Sequence, residues 1–137
     1  MKKFNLVLAL CALVCAFGLS SCSTEVVTHA YSVGIADFYS DGQGSMMSDL
    51  NKVQAYLESK GCPNGGEAGS MLITDSSDKK CDDKAAAKFN DLIKNLSYEE
   101  VAALGLHETC SFVYMCSRRE SPEAERVVVG SWAYPKK

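Results

Sequence analysis

The chain lacks the short motifs by which many enzymes and metal proteins are recognised. No two cysteines have the Cys-x-x-Cys spacing used by thiol-redox sites and zinc knuckles. No serine stands in a Gly-x-Ser-x-Gly nucleophile elbow. The segment Asp37–Gly42 lacks the alternating acids and the late glutamate of a calcium loop. We therefore expect no metal and no cofactor, and the sequence offers no motif that assigns catalytic residues.

The chain also lacks positive charge in excess. Its formal net charge is −3, and it becomes −5 if Lys2 and Lys3 leave with an N-terminal leader. An acidic surface is a poor match for the phosphate backbone of nucleic acids or for anionic lipid headgroups. Nucleic acid is therefore not an expected partner.

The N-terminal apolar run is too short for a permanent membrane span. It extends over about 14 residues after Lys2 and Lys3, whereas a spanning helix needs about 20. A positive start, an apolar stretch and small residues at its end are typical of a targeting signal. The end of this stretch, Leu19-Ser20-Ser21-Cys22, resembles the lipobox of bacterial lipoproteins, with Ser21 where the family usually has Gly or Ala.

The resemblance implies that residues 1–21 are removed as a signal peptide and that Cys22 carries the lipid, including palmitate-type acyl chains. Each buried methylene contributes about 0.8 kcal/mol, so two or three long chains would hold the protein firmly at a membrane. Residues 22–28 would form a lipidated tether and residues 29–137 a single domain outside the cytoplasm. Ser23 is compatible with sorting to the outer membrane.

The cysteine count agrees with an exported domain. Cys11 and Cys15 would leave with the leader and Cys22 would carry the lipid, so four cysteines remain in the domain: Cys62, Cys81, Cys110 and Cys116. Four cysteines in a small exported domain predict two disulfides. Cys110 and Cys116 would lie about 20 Å apart on one strand, too far to pair with each other. Each is therefore expected to pair with Cys62 or Cys81.

Periodicity and turn residues predict the following elements in order: a strand from about residue 27, a helix over 46–60, a short strand over 70–74, a helix over 83–95, a short helix after Ser97, and strands over 110–116 and 127–134. In the first strand one side is bulky and the other small. That pattern predicts a bulky face in the core and a small face close under another element.

This order predicts an α+β fold, with a small, largely antiparallel sheet, two to three helices packed on one face, and disulfide cross-links. A ferredoxin-like split βαβ arrangement is one option within that class. The aromatic residues of the last two strands are expected in the core more than on a binding face.

Several residues remain weak candidates for chemistry. His107 lies near Cys110, which would suit a cysteine nucleophile, but oxidised cysteines leave no thiolate. His107 and the four cysteines show no zinc-ligand spacing. Solvated loop acids are the preferred interpretation of six aspartates: Asp37, Asp41, Asp75, Asp78, Asp82 and Asp83.

These observations favour a lipid-anchored domain of the bacterial cell envelope that binds an envelope protein or glycan and is not an enzyme. The alternative is a small, hydrolase-like envelope enzyme with an unrecognised active site. A histidine beside a serine or a carboxylate in a concave pocket would support that alternative. A small-ligand carrier is a third interpretation, and it requires an internal apolar cavity.

Overall fold

A computed structural model describes residues 25–42 and 44–137. Four strands and three helices follow one another as β1 (Val27–Tyr39), α1 (Met46–Ser59), β2 (Ser70–Asp75), α2 (Asp78–Ile93), α3 (Tyr98–Ala102), β3 (Ser111–Arg118) and β4 (Val127–Tyr134). None of these helices has the length and apolar character that crossing a membrane requires. The leader and Cys22 lie outside the described residues.

The strands form one antiparallel sheet in the order β2-β1-β3-β4. β1 is central and runs antiparallel to both of its neighbours. The prediction of an α+β fold with an antiparallel sheet is thereby confirmed. β2 and β3 both run antiparallel to β1, which lies between them, and α2 and α3 connect them, so this part of the chain forms one split βαβ unit. The resemblance to a ferredoxin-like arrangement ends there, because β1 and β2, which α1 connects, are direct neighbours.

The alternation of β1 separates the two faces of the sheet. Tyr31 and Val33 are buried in the core, whereas Ala30 and Ser32, which alternate with them, are exposed on the opposite face. The register shifts between Ile35 and Asp37, so one extra residue bulges there and Phe38 returns to the core side. The bulky face of β1 therefore lies in the core, as predicted.

The small face of β1 is mostly open instead of lying under another element. Only at Gly34 does a loop approach closely, since a Cβ atom there would lie 2.9 Å from the Asn64 side-chain oxygen. The same oxygen accepts a hydrogen bond from the Ile35 backbone at 2.8 Å. The loop after α1 thus covers the edge of β1 where β2 has not yet begun.

The three helices pack on the bulky face. Val53 and Leu57 of α1, Phe89 of α2 and Val101 of α3 are fully buried in one core with the strands. α2 begins at Asp78, five residues earlier than predicted, because the Ser77 hydroxyl caps it by accepting a hydrogen bond from the Lys80 amide. The predicted start at residue 83 was based on the acidic pair Asp82-Asp83, which favours a helix N-terminus, and it overlooked the Ser77 cap.

The aromatic residues of the hairpin belong to the core, as expected. Phe112 and Tyr114 are almost completely buried, and Trp132 stacks on Tyr98 with ring centroids 4.4 Å apart. Gly130 lies against α2, where a Cβ atom would approach the Phe89 ring to 2.6 Å. A side chain at this position would push the helix away from β4.

The four cysteines of the domain are free thiols, so the structure does not support the predicted disulfides. Cys62, Cys81 and Cys116 are fully buried and Cys110 nearly so. The Cys81 thiol faces the carbonyls of Val27 and Ile73, whereas that of Cys62 faces the carbonyl of Leu92. They act as small core residues, which the count of cysteines could not reveal.

Candidate functional site

The open face of the sheet carries exposed apolar side chains on both sides of a floor of small residues. Leu72 of β2 is 76% exposed and lies opposite Ala30 of β1 in the register. Val128 of β4 is 48% exposed and lies opposite Ser117 of β3. Directly opposed residues on neighbouring antiparallel strands share a face, so Leu72 and Val128 stand on either side of β1 and β3.

A groove runs along β1 on this face. Its floor consists of the small residues of β1, and it has a volume of about 310 Å³. Asn64 and Gly65 border it on one side, and Met115, Arg119 and Arg126 on the other. A second depression of about 450 Å³ lies farther along β1 and includes Tyr39, Val113 and Tyr134. The two share Ala36, so concave surface continues along the strand.

Arg119 and Arg126 give one end of the groove a positive charge. Within the described residues, neither guanidinium has a carboxylate oxygen within 4.0 Å, although the chain as a whole is acidic. Arg119 donates a hydrogen bond to the Pro122 carbonyl at 3.3 Å, and Arg126 donates one to the Met115 sulfur at 3.7 Å. Their charges are therefore available to an anionic group entering the groove.

A polar network lies at the same end of the sheet, on the helix side. The buried Arg118 side chain binds Asp82 of α2 through two hydrogen bonds, and it also contacts Glu120. The Tyr31 hydroxyl donates to Asp82 at 2.5 Å. The hydrogen bonds from Arg118, and then that from Tyr31, outweigh burial and hold the pKa of Asp82 below its usual range. Burial and the Asp82 carboxylate raise the pKa of Tyr31.

His29 lies beside this network. Its Nε2 atom is 2.8 Å from the Asp78 carboxylate at the start of α2. Glu120, which follows β3, completes a group of three whose ligating atoms all lie within 4.8 Å of one another. The histidine side chain is 13% exposed and that of Asp78 60% exposed. β1, α2 and the β3–β4 connection thus bring together three residues that are far apart in the sequence.

His107 holds two segments of the chain together. Its backbone amide donates to Asp49, which is also bound by the Ser40 hydroxyl. Burial raises the pKa of Asp49, but these hydrogen bonds lower it by more. The His107 ring packs so closely on Gly42 that a Cβ atom there would lie 2.5 Å from it. These contacts join the loop after β1 to the entry of β3.

A cysteine nucleophile is not supported by the structure. Burial, and then the Asp49 carboxylate, raise the pKa of Cys110, which favours the inert thiol. Burial likewise raises the pKa of Cys62, and that of Cys116 to about 11. The Thr109 hydroxyl beside His107 donates to Asp41 at 2.8 Å, so its proton does not point to the imidazole.

Most of the aspartates considered as ligands are paired with protein groups. Asp75 binds Lys84 and Asp83 binds Lys79, both at the surface, while Asp41 binds Thr109. Asp78 alone of the six belongs to the group with His29 and Glu120. Sequence reasoning missed Glu120 and the arginine pair, because only the fold places them beside β1.

In comparisons with known proteins, no family model, no curated protein and no solved structure matches this chain.

Proposed function

We propose that the protein is a lipid-anchored binding domain of the bacterial cell envelope, with the outer membrane as the favoured location. It holds an envelope protein or glycan on the open face of its sheet. The observation that carries this proposal is the open face of the sheet. Its groove along β1 is bordered by arginines that have no acidic partner among the described residues, and the exposed apolar side chains of Leu72 and Val128 stand on the same face outside the groove.

Apolar contact would supply the binding energy. The side chains of Leu72 and Val128 are exposed to water on one face of the sheet, whereas the opposite face packs against the helices in the core. An exposed apolar surface with a polar rim is typical of an interaction site. Transfer of such side chains out of water contributes about 25 cal/mol per Å² of apolar area. The small residues of β1 allow a partner to approach the backbone of the sheet.

Charge would select the partner. Arg119 and Arg126 stand at one end of the groove in a protein of net charge −3. Arginine binds carboxylates in a bidentate geometry and is enriched at the centres of protein interfaces. A partner segment with an acidic group next to apolar groups would match this face. The remaining acidic surface would repel acidic proteins that cannot reach the groove.

The short distance between Cys22 and β1 supports a membrane anchor at the end of the domain where β1 begins. β1 begins at Val27, five residues after Cys22, and an extended chain of that length covers at most about 18 Å. A lipid on Cys22 would keep the start of β1 within that distance of the membrane. The groove would then face the space next to the membrane surface.

Affinity capture with paired variants tests the binding role. The double variant Arg119→Gln, Arg126→Gln removes the two charges at the groove, whereas Lys79→Gln, Lys94→Gln removes two charges from exposed ion pairs on the helix side. Both variants change the net charge equally. We expect the first to reduce capture of the partner at least tenfold and the second to leave it unchanged. Equal capture by all three proteins would contradict the assignment of the groove.

A Cys22→Ala variant tests the anchor separately. We expect the wild-type protein in the membrane fraction with the mass of a diacylglyceryl and acyl modification, and the variant without that mass. An unmodified Cys22 in the wild-type protein would refute the lipid anchor and leave the groove proposal intact.

A small envelope hydrolase is the second candidate. The observation that favours it is the contact of His29 with the Asp78 carboxylate. The residues that line the two depressions described include no histidine, however, so binding is the better-supported role. Hydrolysis of ester or phosphoester test substrates that disappears in His29→Asn but not in His107→Asn would favour the enzyme instead.

A further inference from the structure

We infer that His29, Asp78 and Glu120 form a binding site for a divalent transition-metal ion, with zinc as the best match. Each residue offers one ligand atom, the imidazole Nε2 or a carboxylate oxygen, and these atoms lie within 4.8 Å of one another. The three come from β1, the first residue of α2 and the connection after β3. The site is separate from the groove and stands or falls independently of the binding role.

The kinds of ligand select the metal. Imidazole nitrogen favours zinc and its neighbours in the first transition series, whereas magnesium and calcium prefer oxygen ligands alone. Zinc–ligand distances near 2 Å place the ligand atoms of a tetrahedral site roughly 3.3 Å apart. The 2.8 Å separation between His29 Nε2 and the Asp78 oxygen would widen by about 0.5 Å, and Glu120, which lies within 4.8 Å of both, would adopt the same spacing by rotation of its side chain. Three protein ligands leave the fourth position open to water.

The exposure of the two carboxylates leaves room for such an adjustment. The side chains of Asp78 and Glu120 are 60% and 57% exposed, so both can rotate without disturbing the core. His29 is 13% exposed and is held between strand and helix, which fixes the direction of its ring. A rigid histidine with two adjustable carboxylates forms a site in which the metal completes the geometry.

The surrounding charges leave a net negative environment. Asp78, Glu120 and Asp82 carry three negative charges, against which Arg118 supplies one positive charge. Arg118 contacts one oxygen of Glu120, and the other oxygen remains for the ion. A ligating carboxylate is usually held by such a second hydrogen bond. The positive N-terminal end of α2 opposes a cation at Asp78, but its partial charge is smaller than the full charges of the two carboxylates.

Titration calorimetry with zinc chloride on the purified protein tests the site. His107 provides a matched control, because it is the other histidine of the chain and also lies near a carboxylate, Asp41, at 3.8 Å. We expect one zinc ion per chain in the wild-type protein and in His107→Asn. The affinity should fall at least about tenfold in His29→Asn and in Glu120→Gln, since even partners of metal ligands contribute factors of 10 to 100.

Substitution of zinc by cobalt excludes binding by the buried thiols. Thiolate ligands produce intense ultraviolet charge-transfer absorption with cobalt, whereas imidazole and carboxylate do not, and we expect that absorption to be absent. Glu120→Gln retains both His29 and the core, so it keeps the test valid if His29→Asn unfolds. Zinc that fails to bind, binds equally to all variants, or binds with thiolate absorption would overturn the proposal. Equal affinity for calcium would overturn the assignment to zinc.

Discussion

Asp82 on α2 and Arg118 at the end of β3 form a two-point ion pair inside the domain. The guanidinium Nε lies 2.6 Å from one carboxylate oxygen and the second nitrogen lies 3.0 Å from the other. The Arg118 side chain is 7% exposed and that of Asp82 22% exposed. With the Tyr31 hydroxyl bound to the same carboxylate, the pair joins α2 to the two central strands β1 and β3.

Loss of the Asp82 charge is expected to destabilise the fold. Asp82→Asn leaves Arg118 buried with only Glu120 as an anionic partner, and removal of one member of a buried pair costs about 3 kcal/mol or more. Because Asp82 is partly exposed and Glu120 remains, we expect about 2 to 3 kcal/mol. Urea unfolding measures this value. The control is Asp83→Asn, whose exposed pair with Lys79 contributes at most about 0.5 kcal/mol. Equal losses in both variants would contradict a structural role of the pair.

The same pair predicts a pH dependence. The pKa of Asp82 is lowered in the folded protein, chiefly by the hydrogen bonds from Arg118. The stabilisation is therefore complete above the unfolded pKa of about 3.9 and is lost as the pH falls below it toward the folded pKa. The stability difference between wild type and Asp82→Asn should be constant from pH 7 to about pH 5 and shrink below pH 4. A stability difference that stays constant down to pH 2.5 would contradict a stabilising role of the ionised Asp82 in its pair with Arg118.

The buried thiols make a prediction about oxidation. The four cysteines of the domain are buried as free thiols, and burial raises the pKa of Cys116 to about 11. Thiols in apolar surroundings react slowly, so they should stay reduced even outside the cytoplasm. We expect almost no alkylation of the native domain, and four alkylated cysteines after unfolding without reductant. Unfolded protein that takes up alkylating agent only after reduction would show two disulfides instead.

Much of the fold follows from local patterns in the sequence. The alternation that places Tyr31 and Val33 inside, and the helical stripe around Val53 and Leu57, predict elements that the structure contains. Local capping was less easily predicted. Ser45 occupies the N-cap of α1, but its hydroxyl donates to the Gly42 carbonyl instead of accepting from the helix. This choice depends on how the preceding loop folds back.

The candidate sites could not be predicted in the same way. Successive members of the group His29, Asp78 and Glu120 lie 49 and 42 positions apart along the chain. The pairing of β1 with both β2 and β3 brings them together. The state of the cysteines depends on the same long-range packing, since their number and spacing are equally compatible with bridges and with core thiols. Whether the cysteines form bridges or remain core thiols depends on which strands and helices pack together. The periodicity of a single sequence does not encode that packing.

The exposed side of β1 is the proposed binding surface. A photoreactive amino acid at Ser32, on the floor of the groove, reports what contacts this face in living cells. The same residue at Lys88, exposed on α2, reports contacts of the helix side. The prediction is one discrete cross-linked partner from Ser32, which is lost in the double variant Arg119→Gln, Arg126→Gln, and no such product from Lys88. The same products from both positions, or none from Ser32, would contradict it.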